Sequence, residues 1–207
     1  MFNIQNFRRA VMALVLAACS SLAAAAGTLT VQLDTTGYSS NGWIDISLAH
    51  QPMGVVATHA DLGNFVNFGS SDGAELYNTT GSLQYGFRIQ NVYGEYNDLF
   101  HAVNFGGKVS FTVSFSGDAD PSGSFGSTLS VTLFGADKVT PLGDSVNGPV
   151  LQLNWTPAVS VGGQGSVASV VLGSGVTVSP VPEAQTWAML LGGLALLGLV
   201  RRRQQGY

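Results

Sequence analysis

Val109, Phe111, Val113 and Phe115 alternate with Ser110, Thr112, Ser114 and Ser116. Side chains of a strand point to opposite faces at successive residues, so this run has one apolar face and one hydroxyl face. Such a segment buries one side and leaves the other wet, which calls for a second layer. The same period of two recurs along the chain. Leu29, Val31 and Leu33 open it, and Ile44, Ile46 and Leu48 follow. Leu83, Tyr85, Phe87 and Ile89 alternate with polar residues, as do Leu129, Val131 and Leu133, and then Leu151, Leu153 and Trp155. Val176 and Val178 close the series. No stretch between Gly27 and Pro180 carries a helical stripe. About eight to ten short strands between Gly-, Ser- and Asp-rich turns predict an all-β fold, an antiparallel β-sandwich of jelly-roll-like form. Gly162 to Gly175 is low in complexity and reads as a loose final hairpin or the start of a linker.

The two ends differ from this middle and divide the chain into residues 1–26, 27–180 and 181–207. Arg8 and Arg9 precede a short apolar stretch, Ala10 to Ala18, and small residues lead to Ala26 and Gly27. This is the layout of a secretory signal cut between Ala26 and Gly27, with the Sec translocon and signal peptidase as its partners. A second route is also written there. Leu16-Ala17-Ala18-Cys19 fits a lipobox, in which Cys19 is lipidated. At the other end stand Val181, Pro182 and Glu183. An apolar segment with Trp187, Leu190, Leu191, Leu194, Leu196, Leu197, Leu199 and Val200 follows, then Arg201, Arg202 and Arg203. The 14 residues from Trp187 to Val200 make a single transmembrane helix of about 21 Å, short for a hydrocarbon core of about 30 Å. The arginines favour a cytoplasmic C-terminus, which places the domain outside.

A short motif, a marginal apolar helix and a basic stop resemble the sorting tail of the PEP-CTERM family of Gram-negative bacteria. The matching residues are Val181-Pro182-Glu183, Thr186-Trp187-Ala188, the apolar stretch to Val200 and Arg201 to Arg203. Ala184 departs from the commonest pattern, which has a second proline there. The resemblance implies processing by an exosortase, an integral-membrane cysteine protease/transpeptidase. It also implies a link to exopolysaccharide and biofilm. The expected course is an inner-membrane-anchored intermediate, then delivery to the cell surface or extracellular matrix. Between the ends, VQLDTTGYSSNGWIDISL, NDLFHAVNFGGKVSFTVSFSG and LSVTLFGADKVTPL are similar to segments of small PEP-CTERM proteins without an assigned activity.

Charge narrows the function classes. Only 10% of residues are charged, against about 25% in an ordinary soluble domain. Between Gly27 and Pro180, Arg88, Lys108 and Lys138 stand against eleven carboxylates, a net of −8. That balance offers no footprint for nucleic acid and repels anionic membrane surfaces. The sole cysteine is Cys19, so the domain has neither disulfide nor thiolate chemistry.

Catalytic signatures are absent from the spacing. His50, His59 and His101 form no ligand motif. Asp34, Asp45, Asp61, Asp72, Glu75, Glu95 and Asp98 are scattered, although two carboxylates meeting across a sheet would make a glycosidase pair. Asp118, Asp120 and Ser122, with Gly123, imitate the start of a Ca²⁺ loop, but Leu129 stands where the bidentate Glu belongs. The same residues make an ordinary turn, and no cofactor is expected. Trp43, Tyr77, Tyr93 and Tyr96 are candidates for a sugar-stacking platform. The sequence thus predicts a non-enzymatic surface or matrix protein in contact with extracellular polysaccharide. A carbohydrate-binding module stands second and a secreted hydrolase third.

Overall fold

A computed structural model of the chain describes residues 27–39, 41–50, 56–143 and 148–181. The secretory signal with Cys19 and Ala26, and the tail from Pro182 to Arg203, lie outside the described residues. Among the described residues there is no helix, and so none long and apolar enough to cross a membrane.

The strands are β1 (Leu29–Asp34), β2 (Asn41–His50), β3 (Thr58–Val66), β4 (Glu75–Tyr77), β5 (Thr79–Ser82), β6 (Gly86–Gln90) and β7 (Asp98–Asn104). They continue with β8 (Lys108–Gly117), β9 (Ser127–Phe134), β10 (Pro141–Leu142), β11 (Leu151–Thr156), β12 (Ser166–Val171) and β13 (Val176–Pro180). All pairings are antiparallel, in two sheets. Sheet I runs β13-β1-β8-β3-β6-β5, and sheet II runs β12-β11-β9-β2-β7-β4 with β10 attached to β9. The runs β1-β8-β3-β6 and β2-β7-β4 nest as interleaved Greek keys do. β5 departs from that order by pairing with β6 in sheet I.

The sheets meet through the residues that the alternation marked. Val31, Leu33, Val109, Phe111 and Val113 of sheet I and Ile44, Ile46, Leu48, Leu129, Val131, Leu151 and Leu153 of sheet II are buried in one core. Rings bridge the layers. Phe115 stacks near Trp155 at 6.4 Å between centroids, and Phe87 lies 6.1 Å from His101. Gly42 is required by this packing, because a Cβ there would collide with the ring of Phe105 and the carbonyl of Phe134.

Three expectations are corrected. The alternation through Leu83 and Tyr85 is not strand: both sit in the β5–β6 turn, and Tyr85 is 84% exposed. Thirteen strands stand among the described residues, more than the alternation marked, because β3, β4, β5, β7, β10 and β12 carry weak or mixed alternation. Finally, Gly162 to Gly175 is not a linker. It supplies β12, the second arm of a hairpin with β11 in sheet II, and the chain then changes sheets to β13, which pairs with β1 in sheet I. The last strand ends beside the first, with the Val181 amide donating to the Thr28 carbonyl at 2.8 Å.

Candidate functional site

The two outer faces differ. Sheet I presents Thr30, Gln32, Ser110, Thr112, Ser114 and Thr177, with one bidentate pair in which Arg88 donates to Asp61 at 2.6 and 2.9 Å. Sheet II presents aromatic and acidic side chains. Register explains the grouping: Asp45 on β2 lies opposite Phe100 on β7, which lies opposite Glu75 on β4. Two residues along, Ser47 faces Asp98, which faces Tyr77. Trp43 faces Ala102 on one side and Phe134 on the other.

Aromatic side chains frame the acidic ones. The Trp43 and Phe100 rings stack at 5.1 Å with planes 5° apart, and Phe134 meets Phe100 edge-on at 5.8 Å. The Lys138 ammonium sits 3.8 Å above the Trp43 ring and 3.8 Å from Glu75. Tyr77 and Tyr96, exposed by 49% and 81%, stand 6.3 Å apart. Beside them opens a groove of about 520 Å³ lined by Asp45, Ser47, His50, Glu95, Tyr96 and Asp98 among others.

Its far wall is the loop from Asn91 to Asn97, which Asn97 holds in shape. The buried Asn97 amide accepts from the Val92 amide and from Asn78, and donates to the carbonyls of Leu48, Val92 and Glu95. Asn78 links β4 to β5 at positive φ. It donates to the Tyr96 carbonyl at 2.8 Å.

Asp45 and Asp98 are hard to ionise. Burial pushes Asp45 up to about 7, and the nearby Asp98 adds to the effect. One Asp45 oxygen is buried without a hydrogen-bond partner. Asp98 is also raised, first by burial and then by Glu75. A low-dielectric site with two like charges disfavours both anions.

The other sequence candidates are dispersed. His59 lies on the outer face of sheet I. His101 is buried between the sheets against Phe68 and Phe87, with Ser71 at 3.2 Å, and His50 packs on Tyr93 at 4.9 Å. Among the described residues no three His, Cys, Asp or Glu side chains gather as a metal site.

Asp118 and Asp120 separate in role. Asp118 is exposed, while Asp120 is buried and accepts four bonds. One oxygen takes the amide and hydroxyl of Ser122, and the other takes the amides of Ser124 and Phe125. Its acceptor positions are filled by N–H and O–H donors, an environment that holds an anion and offers little to a cation. Those bonds, led by the Ser122 hydroxyl, hold its carboxyl below the usual range. The stabilisation is therefore complete above the ordinary carboxylate value and fades as pH falls through the lowered one. Melting curves in Ca²⁺ and in EDTA are expected to coincide, whereas Asp120→Ala lowers the midpoint by several degrees in both. A Ca²⁺-dependent rise abolished by Asp118→Asn would give the loop to the metal instead.

Sequence reasoning named Trp43, Tyr77, Tyr96 and the carboxylates but missed Phe100 and Lys138, which complete the aromatic stack. Comparison with known proteins adds one finding: residues 180–204 match the PEP-CTERM protein-sorting motif. No curated protein and no solved structure matches the chain. The motif marks an exported protein targeted to an exosortase.

Proposed function

We propose that the chain is a non-enzymatic cell-surface or matrix protein that holds extracellular polysaccharide on the outer face of sheet II. The observation that carries this reading is the grouping there of the Trp43–Phe100 stack, Tyr77 and Tyr96 around the Asp45–Asp98 groove. Sugar rings present C–H faces that lie on aromatic side chains, and their hydroxyls donate to carboxyl oxygens. The outer face of sheet I offers hydroxyls and one ion pair instead. The sorting motif supports the setting, since an exosortase-targeted chain is exported.

The hydrolase reading has one observation in its favour, because Asp45 keeps its proton to about pH 7 beside a second carboxyl. A glycosidase pair, however, needs its two groups pushed apart, one held protonated and one ionised. Here Asp98 is pushed in the same direction as Asp45. Two groups moved together make a poor acid–base pair and a reasonable set of hydroxyl partners.

The test is co-sedimentation of the exported protein with insoluble polysaccharide from its host. Binding is expected without release of reducing ends. Tyr77→Ala with Tyr96→Ala is expected to weaken it about tenfold, roughly 1.4 kcal/mol, with no change in melting, because both rings are exposed. Unchanged binding in the double variant would remove this face from consideration, and new reducing ends would restore the hydrolase.

The sorting part has its own check. Mass spectrometry of the surface fraction is expected to find no peptide from Trp187 to Arg203. Full-length chain as the main surface species would make the tail a permanent anchor.

A further inference from the structure

Strand β12 closes one side of sheet II, with β11 as its only sheet neighbour among the described residues. It pairs with β11 without a bulge over six residues, and its opposite edge presents backbone N–H and C=O groups. Exposed edges of this kind are normally blunted by charge, proline, bulges or brevity. The other sheet edges follow that rule. β4 has three residues and carries Glu75, β5 has four with Gly81 at φ 123°, and β13 ends on Pro180. β12 has none of these devices. Its sequence is SVASVV, and no Asp, Glu, Lys, Arg or His occurs between Ser145 and Val181. Apolar side chains stand in solvent at the C-terminal end of the strand, where Val170, Val171 and Leu172 are 41%, 49% and 45% exposed.

We propose that β12 pairs antiparallel with β12 of a second copy of this chain, joining two copies of sheet II into one continuous sheet. Charge selects the edge, and its self-complementarity selects the occupant. Two copies of a domain with a net charge of −8 repel one another on most approaches, and this edge is the charge-free way in. Like charges directly opposite across a strand pair are destabilising, and none meets here. Symmetry makes the edge complementary to itself. A two-fold axis normal to the sheet brings the Val170–Leu172 end of each strand to the start of the other. The same axis keeps both outer faces of sheet II on one side, so two groove-bearing faces would meet a polymer together. Avidity then follows if that face binds polymer, although the pairing itself does not depend on it. A six-residue strand pair with an apolar fringe is small for an interface, which places the dissociation constant on the order of micromolar.

Sedimentation velocity of the exported protein across that concentration range is expected to show a monomer–dimer equilibrium. Val170→Lys, which sets an ammonium on the shared edge, should leave a monomer with unchanged melting. Ala168→Cys, at the middle of the strand, should be captured as a dimer by a short bis-maleimide, and this does not depend on how the lysine variant folds. A wild-type monomer throughout the range would overturn the proposal. So would a folded Val170→Lys protein that dimerises like the parent, or an Ala168→Cys protein that the reagent does not join.

Discussion

Phe111→Asp is expected to leave the domain unfolded at room temperature. Phe111 is fully buried at the centre of β8, between β1 and β3, with Phe68 at 6.4 Å between ring centroids. The substitution removes a ring from the core, a change worth about 3–5 kcal/mol for truncation alone. It then leaves a carboxylate among Val31, Leu62 and their neighbours, with the cost of taking on a proton or admitting water. Together these rival the whole stability of a domain this size, about 5–15 kcal/mol. Circular dichroism and a denaturant titration decide it. A cooperative transition near that of the parent would mean that Phe111 points away from the core, and with it Val109, Val113 and Phe115 on the same face of β8.

Asp45→Asn is expected to raise stability by an amount that grows as pH rises from 3.8 and is complete above about 7. The ordinary Asp value of 3.8 rises to about 7 in the folded chain. Below 3.8 the carboxyl is protonated in both states and contributes nothing either way. Between the two values the unfolded chain releases its proton while the folded chain keeps it, so stability falls as pH rises. Above about 7 the penalty is constant, with a ceiling of about 4 kcal/mol at roughly 1.4 kcal/mol per unit. Asparagine is neutral throughout and escapes it. Denaturant midpoints of the two proteins should agree at about pH 4 and diverge by about pH 8 in favour of the variant. An equal difference at both pH values would show that Asp45 titrates normally and that any change is one of packing. The charge that acts on it is that of Asp98 on β7. Lys138, the cation of this face, is held by Glu75 and the Trp43 ring.

How far the fold is readable from the chain depends on the side chains at inward positions. β1, β2, β8, β9 and β11 are legible because most of their inward residues are aliphatic or aromatic, as in Ile44, Ile46 and Leu48. β7 hides because its inward set is Leu99, His101 and Val103, while Phe100 faces out. β3 hides because Thr58 and Ala60 are small and the ladder to β8 shifts between Gly63 and Val66, where Asn64 takes positive φ. At Leu83 and Tyr85 the alternation misleads, since a turn continues the spacing without the strand.

The candidate site follows the same logic. Asp45, Glu75 and Asp98 are each visible as acidic residues. Their meeting depends on β4, β7 and β2 lying side by side, a long-range fact that no spacing encodes. Phe100 became a stacking partner of Trp43 only once β7 had a register.

The amide of Val181 bonded to the carbonyl of Thr28 has a mechanical reading. The first and last described residues leave the sandwich at one corner, on neighbouring strands. The sorting motif, residues 180–204, therefore begins where the last strand ends, and no core residue lies beyond it among those described. A cut in that motif past Val181 would leave both sheets whole. Departure and unfolding would then be separate events, and a protein released this way would arrive already built.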